Sequence, residues 1–198
     1  MGSVVNLLDY KKSRVTNSLS FSYTTEEELA SQILKMFNYD NQNIAIPIVK
    51  VSKHCGLKVY HNNFYSSDIL AKLLIGGITE ARYSSREVIL VNSNNLLFEQ
   101  RVSIARLLGY YLDEVITNES FLKQGFLLSD VLYSSELYDK YIEFVLNILA
   151  PSEIFRRQYE IAVDAGLSEI GIYTYLSRFF EVPNSFIQYK VKSLNISK

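Results

Sequence analysis

The sequence predicts an α+β chain in which a small, mainly antiparallel sheet packs against one long helix, and three features carry that prediction. The apolar run Val88-Ile89-Leu90-Val91 reads as a strand and ends in four turn-prone polar residues, Asn92-Ser93-Asn94-Asn95. A helical pattern of roughly 20 residues follows, in which Leu97, Ile104, Leu108, Tyr111 and Val115 recur on one side. Further short apolar runs bounded by glycine and serine supply the rest of a sheet.

Taken in order, residues 1–23 mix Val4-Val5 and Leu7-Leu8 with Lys11-Lys12 and serines, keep no period, and are expected to form an N-terminal arm. Thr25-Glu26-Glu27-Glu28 is a capping box, with Leu29, Ile33 and Phe37 repeating behind it, so a first helix is expected to about Phe37. Pro47 near a helix start and Gly56 as its stop frame a short second helix. Leu57–Tyr60 and Ile69–Ile75 are expected strands. Gly76-Gly77 is expected to turn a tight hairpin into a strand at Ile78–Tyr83, and Ser84-Ser85-Arg86 turns again into the strand at Glu87–Val91.

In the long helix Arg106 and Tyr110 lie one turn apart, nearly opposite the apolar stripe and beside Glu99 and Ser103. Gly109 between them costs about 1 kcal/mol relative to alanine, which points to close packing. The stretch 117–135 is expected to be irregular with short helical pieces, because its apolar residues are punctuated by Gly125 and serines. From Glu136 a helix is expected to run to Leu149, before Pro151. Three helices follow, over 152–165, 168–180 and 184–194.

Strand, Asn-Ser-Asn turn and Ile104-Ala105-x-x-Leu108-Gly109-x-Tyr111-Leu112 together resemble the ImmA/IrrE family of zinc metallopeptidases. The family helix reads H-E-L-G-H-Y, two histidines holding zinc and a glutamate acting as general base. Here the window is Arg106-Leu107-Leu108-Gly109-Tyr110-Tyr111. Arginine has no lone pair to offer zinc, and leucine cannot take a proton from water. The later segment Phe144…Ile148-Leu149-x-Pro151 is similar to the family's next helix, and that register puts Tyr138 where the third zinc ligand belongs. Shifting by two residues recruits Glu136 but loses Phe144 and Pro151. Leu176-Ser177-Arg178-Phe179-Phe180-Glu181-Val182-Pro183 and Tyr189–Leu194 resemble the family's C-terminal signature, so the likeness spans about Thr25 to Ile196.

The resemblance implies a zincin-like scaffold with a degenerate site, divided as an arm (1–23), a metallopeptidase-like domain (24–150) and a C-terminal helical subdomain (151–198). It implies a pseudoprotease without metal or other cofactor. The expected partner is a protein, a helix-turn-helix regulator of a phage or mobile element, bound in an antirepressor-like role through Arg106, Tyr110, Tyr138 and Glu99. Two other readings stand beside it. One is an active metallopeptidase recruiting His54, His61 or Glu136, although His54 and Cys55 are adjacent and neither histidine has H-x-x-x-H spacing. The other is DNA binding by the C-terminal helices. Residues 151–198 hold Arg156, Arg157, Arg178, Lys190, Lys192 and Lys198 against Glu153, Glu160, Asp164, Glu169 and Glu181, too even a balance for a phosphate-driven binder.

Composition agrees with a globular chain: 198 residues, 48% apolar, net charge −1. A single cysteine excludes an internal disulfide. No charged-then-apolar leader and no run of about eighteen apolar residues is present, so a cytoplasmic protein off the membrane is expected.

Overall fold

A computed structural model describes residues 3–6, 20–76, 79, 82–116, 126–131 and 140–196. Strands β1 (Ser3–Asn6) and β2 (Ser20–Tyr23) pair antiparallel, so the expected arm contains a two-stranded ladder. Helix α1 (Glu26–Met36) starts as the capping box requires, with one variation. Thr25 Oγ1 accepts from Glu28 N at 3.2 Å, but the Glu28 carboxylate reaches past Thr25 to Thr24, accepting from its backbone N at 2.8 Å. Helix α2 (Ile48–His54) follows Pro47 and stops at Gly56, whose φ of 96° suits glycine.

Strands β3 (Lys58–Asn62), β4 (Ile69–Ile75), β5 (Glu87–Asn92) and β6 (Phe126–Val131) make a mixed sheet in the order β3-β5-β4-β6. The two pairings of β4 are antiparallel, with Leu73 opposite Ile89 and Leu128, while β3 runs parallel to β5 with Val59 opposite Ile89. Both faces of β5 are covered, which explains its unbroken apolar run. Ile89 and Val91 enter the main core, and Val88 and Leu90 join Phe64 in a smaller cluster on the other face.

Two expectations are corrected here. The hairpin into Ile78–Tyr83 is not formed. Thr79, Arg82 and Tyr83 are helical, and β4 pairs instead with β5, Gly76 N donating to Arg86 O at 2.8 Å. Within 117–135, expected to be irregular or helical, residues 126–131 form the edge strand β6; the flanking parts of that stretch lie outside the described residues.

The long helix α3 (Leu97–Tyr110) continues into a π-helical turn at Tyr111–Val115, where Ile116 N bonds Tyr111 O. Helices α4 (Ile142–Leu149), α5 (Ser152–Asp164), α6 (Glu169–Phe180) and α7 (Asn184–Ser193) follow, and the helix expected from Glu136 to Leu149 is interrupted at Tyr141, whose φ of −113° and ψ of 18° are not helical. The last three match the expected helices closely, and the Ser168 side chain caps α6. One core runs from Tyr23 to Val191. Arg101 ties α3 to the C-terminal helices, donating to Glu181 O and Ile46 O and pairing with the Glu181 carboxylate at 3.1 Å. No described helix is long and apolar enough to cross a membrane.

Candidate functional site

The turn that feeds α3 is fixed by side chains. Asn92 Nδ2 donates to Ser66 O and Ile69 O, and its Oδ1 accepts from Asn94 N at 3.1 Å, an Asx turn. Ser93 N bonds Asn62 O across to β3. Glu99 then accepts from Leu96 N at 3.0 Å, meeting an amide at the helix start. Glu99 therefore serves the N-terminus of α3, about 16 Å along the axis from Tyr110 at 1.5 Å per residue. The two do not share a patch.

Arg106 was expected on the side facing away from the core, yet it is only 3% exposed, and every residue from Ser103 to Gly109 is buried. The reason is that α3 is covered on several sides, by β4 and β5, by α2 and by α4. Leu97, expected to open the core stripe, is instead exposed, while Ile104, Leu108, Tyr111 and Val115 are buried as expected. Gly109 is where α4 comes closest. A Cβ there would lie 2.8 Å from Phe144 Cδ1 and 3.2 Å from Tyr141 Cδ1.

Tyr110 is half-buried, with its ring edge-on to Tyr141 at 6.0 Å. Burial pushes its phenol above the usual range, the nearby Glu114 charge adds to this, and Lys140 opposes it. Just beyond, the π-helical turn presents Asp113 to two tyrosines. Tyr23 OH donates to Asp113 Oδ1 at 2.7 Å, and Tyr141 OH donates to Oδ2 at 2.9 Å. Lys140 pairs with Glu114 and lies 3.9 Å from Asp113. The Tyr141 phenol is held well above its ordinary value by burial and then by Asp113. Glu26 accepts from Phe144 N at 3.2 Å, and burial raises its carboxyl.

Tyr138 and Glu136 lie outside the described residues. His54 stacks on Phe37 at 4.8 Å, Cys55 is fully buried, and His61 is exposed on β3. The structure thus brings Tyr110 together with Asp113, Glu114, Lys140, Tyr23 and Tyr141, and leaves Glu99 and the histidines elsewhere. Among the described residues no three His, Cys, Asp or Glu side chains converge closely enough to hold a metal ion. The donor chemistry at positions 106, 107 and 110 does not fit zinc held by two histidines: a guanidinium, an alkyl group and a phenol with a raised pKa stand there.

The Tyr23–Asp113–Tyr141 cluster was not legible in the sequence, since Tyr141 reads as part of an apolar stripe and Tyr23 as part of the arm. Asp113-Glu114 beside Tyr110, acidic residues closing an apolar helix, were the available signal. Comparison with family models, curated proteins and solved structures returned no match.

Proposed function

We propose that the chain is a metallopeptidase-like protein of the ImmA/IrrE type that lacks metal-dependent cleavage and acts in the cytoplasm by binding another protein. Its partner on this reading is a helix-turn-helix regulator of a phage or mobile element, bound stoichiometrically in an antirepressor-like role. The observation that carries the reading is the replacement of both metal-ligand positions and the base position by Arg106, Tyr110 and Leu107, two of which are packed into the protein. A buried guanidinium and a core leucine contribute to the fold, which leaves recognition to the neighbouring half-open end of α3.

That end offers Tyr110, Lys140 and Glu114, an aromatic ring with a charge of each sign; the Lys140 and Glu114 side chains are 48% and 38% exposed. Such a combination suits a protein surface, where aromatic anchors carry much of the binding energy. The partner class rests on the family resemblance. The test is titration of a purified regulator from the same genome with the wild-type chain and with Tyr110→Ala combined with Lys140→Glu. The pair should weaken binding by about 30-fold or more, equivalent to roughly 2 kcal/mol, without unfolding the protein. Unchanged affinity overturns the proposed surface. Stoichiometric zinc in protein prepared without chelator, with cleavage of the regulator, overturns the reading that metal-dependent cleavage is absent.

A further inference from the structure

Lys190 is the most deeply buried charged side chain among the described residues, 1% exposed, and none of its direct partners is a carboxylate. Its Nζ donates to Asn147 Oδ1 at 2.7 Å and to Ser152 Oγ at 3.1 Å, and Ser152 Oγ donates to the same Asn147 oxygen at 3.0 Å. Asn147 is itself oriented by the bond from its Nδ2 to Glu143 O. Three helices therefore meet at one triangle of polar atoms: α4 through Asn147, α5 through Ser152 and α7 through Lys190.

Ser152 is half-buried and lies on the wall of a cleft of about 270 Å³, together with Asn147, Pro151, Leu34 and the charged Glu27, Asp40, Glu153 and Lys35. It is also the first residue of α5, whose first-turn amides have no intrahelical acceptor. Carboxylates outnumber cations on this wall.

We propose that Ser152, Lys190 and Asn147 form a serine–lysine acyl-transfer site that opens into this cleft and takes an ester or amide bearing a positive charge close to the reacting carbonyl. The site is separate from the positions that resemble a metal site, and its failure leaves the protein-binding reading untouched. In the first step the Ser152 hydroxyl turns from Asn147 to neutral Lys190, 3.1 Å away, and Nζ takes its proton as Oγ bonds to the carbonyl carbon and the carbonyl π pair moves onto its oxygen. The first-turn amides of α5 offer donors to that oxyanion. The pair then returns, the bond to the leaving oxygen or nitrogen breaks, and the leaving group takes the proton from Lys190. Water attacks the acyl-serine by the same route, releasing a carboxylic acid and restoring the Ser152 hydroxyl.

A lysine serves as such a base only if it can shed its proton near neutrality. Burial pushes Lys190 down to about 8; Glu27 on α1 and Glu143 on α4 pull it upward, and Arg156 on α5 pushes it further down. Asn147 Oδ1 and Ser152 Oγ accept from Nζ without carrying a charge, so no carboxylate in direct contact holds the ammonium form.

The experiment treats the full chain with a fluorophosphonate between pH 6 and pH 9 and follows intact mass, mapping any adduct by peptide digestion. One adduct at Ser152 is expected, forming faster as pH rises through about 8 as Lys190 deprotonates. Ser152→Ala abolishes it, and Lys190→Met slows it by about 100-fold, the low end of what a general base contributes. The wild-type pH profile needs no variant, so a misfolded Lys190→Met does not remove the test. With p-nitrophenyl 4-guanidinobenzoate the folded chain should release nitrophenol at least tenfold faster, relative to the uncatalysed rate, than with p-nitrophenyl acetate. No adduct, an adduct elsewhere, or a rate indifferent to pH overturns the site. Equal acceleration of the two esters overturns the cationic substrate class.

Discussion

Replacing Gly109 by alanine sets two physical effects of opposite sign against each other. In an exposed helix the change stabilises by about 1 kcal/mol through backbone entropy. Here the new methyl would sit 2.8 Å from Phe144 Cδ1, 3.2 Å from Phe144 Cγ and 3.2 Å from Tyr141 Cδ1. Both rings are fully or almost fully buried, and Tyr141 is held by its bond to Asp113, so neither can swing into solvent. Overpacking of this kind costs about 1–3 kcal/mol, and the larger values apply where the neighbours are rigid. The expected net result is destabilisation of about 1–2 kcal/mol, lowering the Tm by roughly 2–8 °C for a chain of this size. Thermal and urea unfolding of Gly109→Ala measure it, and the double variant with Phe144→Leu should recover part of the loss relative to Phe144→Leu alone. A Gly109→Ala protein more stable than wild type refutes the close approach of α3 and α4.

Three further outcomes follow from buried polar groups. Lys190 titrates at about 8 in the fold against 10.5 in the open chain, so the unfolded state binds the extra proton between those values and stability rises with pH across that window. The penalty below pH 8 is about 3 kcal/mol, and Lys190→Met should flatten this part of the stability profile, read by urea unfolding from pH 7 to 10. Tyr23→Phe removes one donor from Asp113 and should cost about 1–3 kcal/mol while leaving the Tyr141 bond in place; an unchanged urea midpoint contradicts the cluster. Arg106→Ala should lower stability by about 2–4 kcal/mol through lost packing of a long buried side chain, measured by thermal unfolding, whereas a solvated arginine would give almost nothing.

The helices with strong end signals were legible because caps and stops act locally: Thr25, and Pro47 with Gly56, stand where the structure uses them. Strand β5 was legible because both faces are buried, which leaves a continuous apolar run. Edge strand β6 was not, since Phe126-Leu127-Leu128-Ser129-Asp130-Val131 does not alternate apolar and polar residues. The run Ile78–Tyr83 carries β-branched and aromatic residues in a strand-like manner, yet β4 finds its partner in β5, and Thr79, Arg82 and Tyr83 are helical.

At the candidate site the helical period puts Arg106 and Tyr110 one turn apart on α3, opposite the apolar stripe, but a period reports only where apolar residues lie. It does not report how many neighbours a helix has, and α3 has enough to bury a guanidinium. Lys190 did leave a trace. It stands four residues after Phe186 and three after Ile187, both buried, so the helical period places it on the core face of α7. Its partners Asn147 and Ser152 come from distant helices and leave no such trace.

Binding without metal-dependent cleavage is tested by capturing the full chain from extracts of its own cells under non-denaturing conditions and analysing by intact mass what is bound. A full-length helix-turn-helix regulator should be recovered in one-to-one amount, and should be lost when Tyr110→Ala and Lys140→Glu are introduced. A truncated regulator, cut only while metal is present, would contradict it.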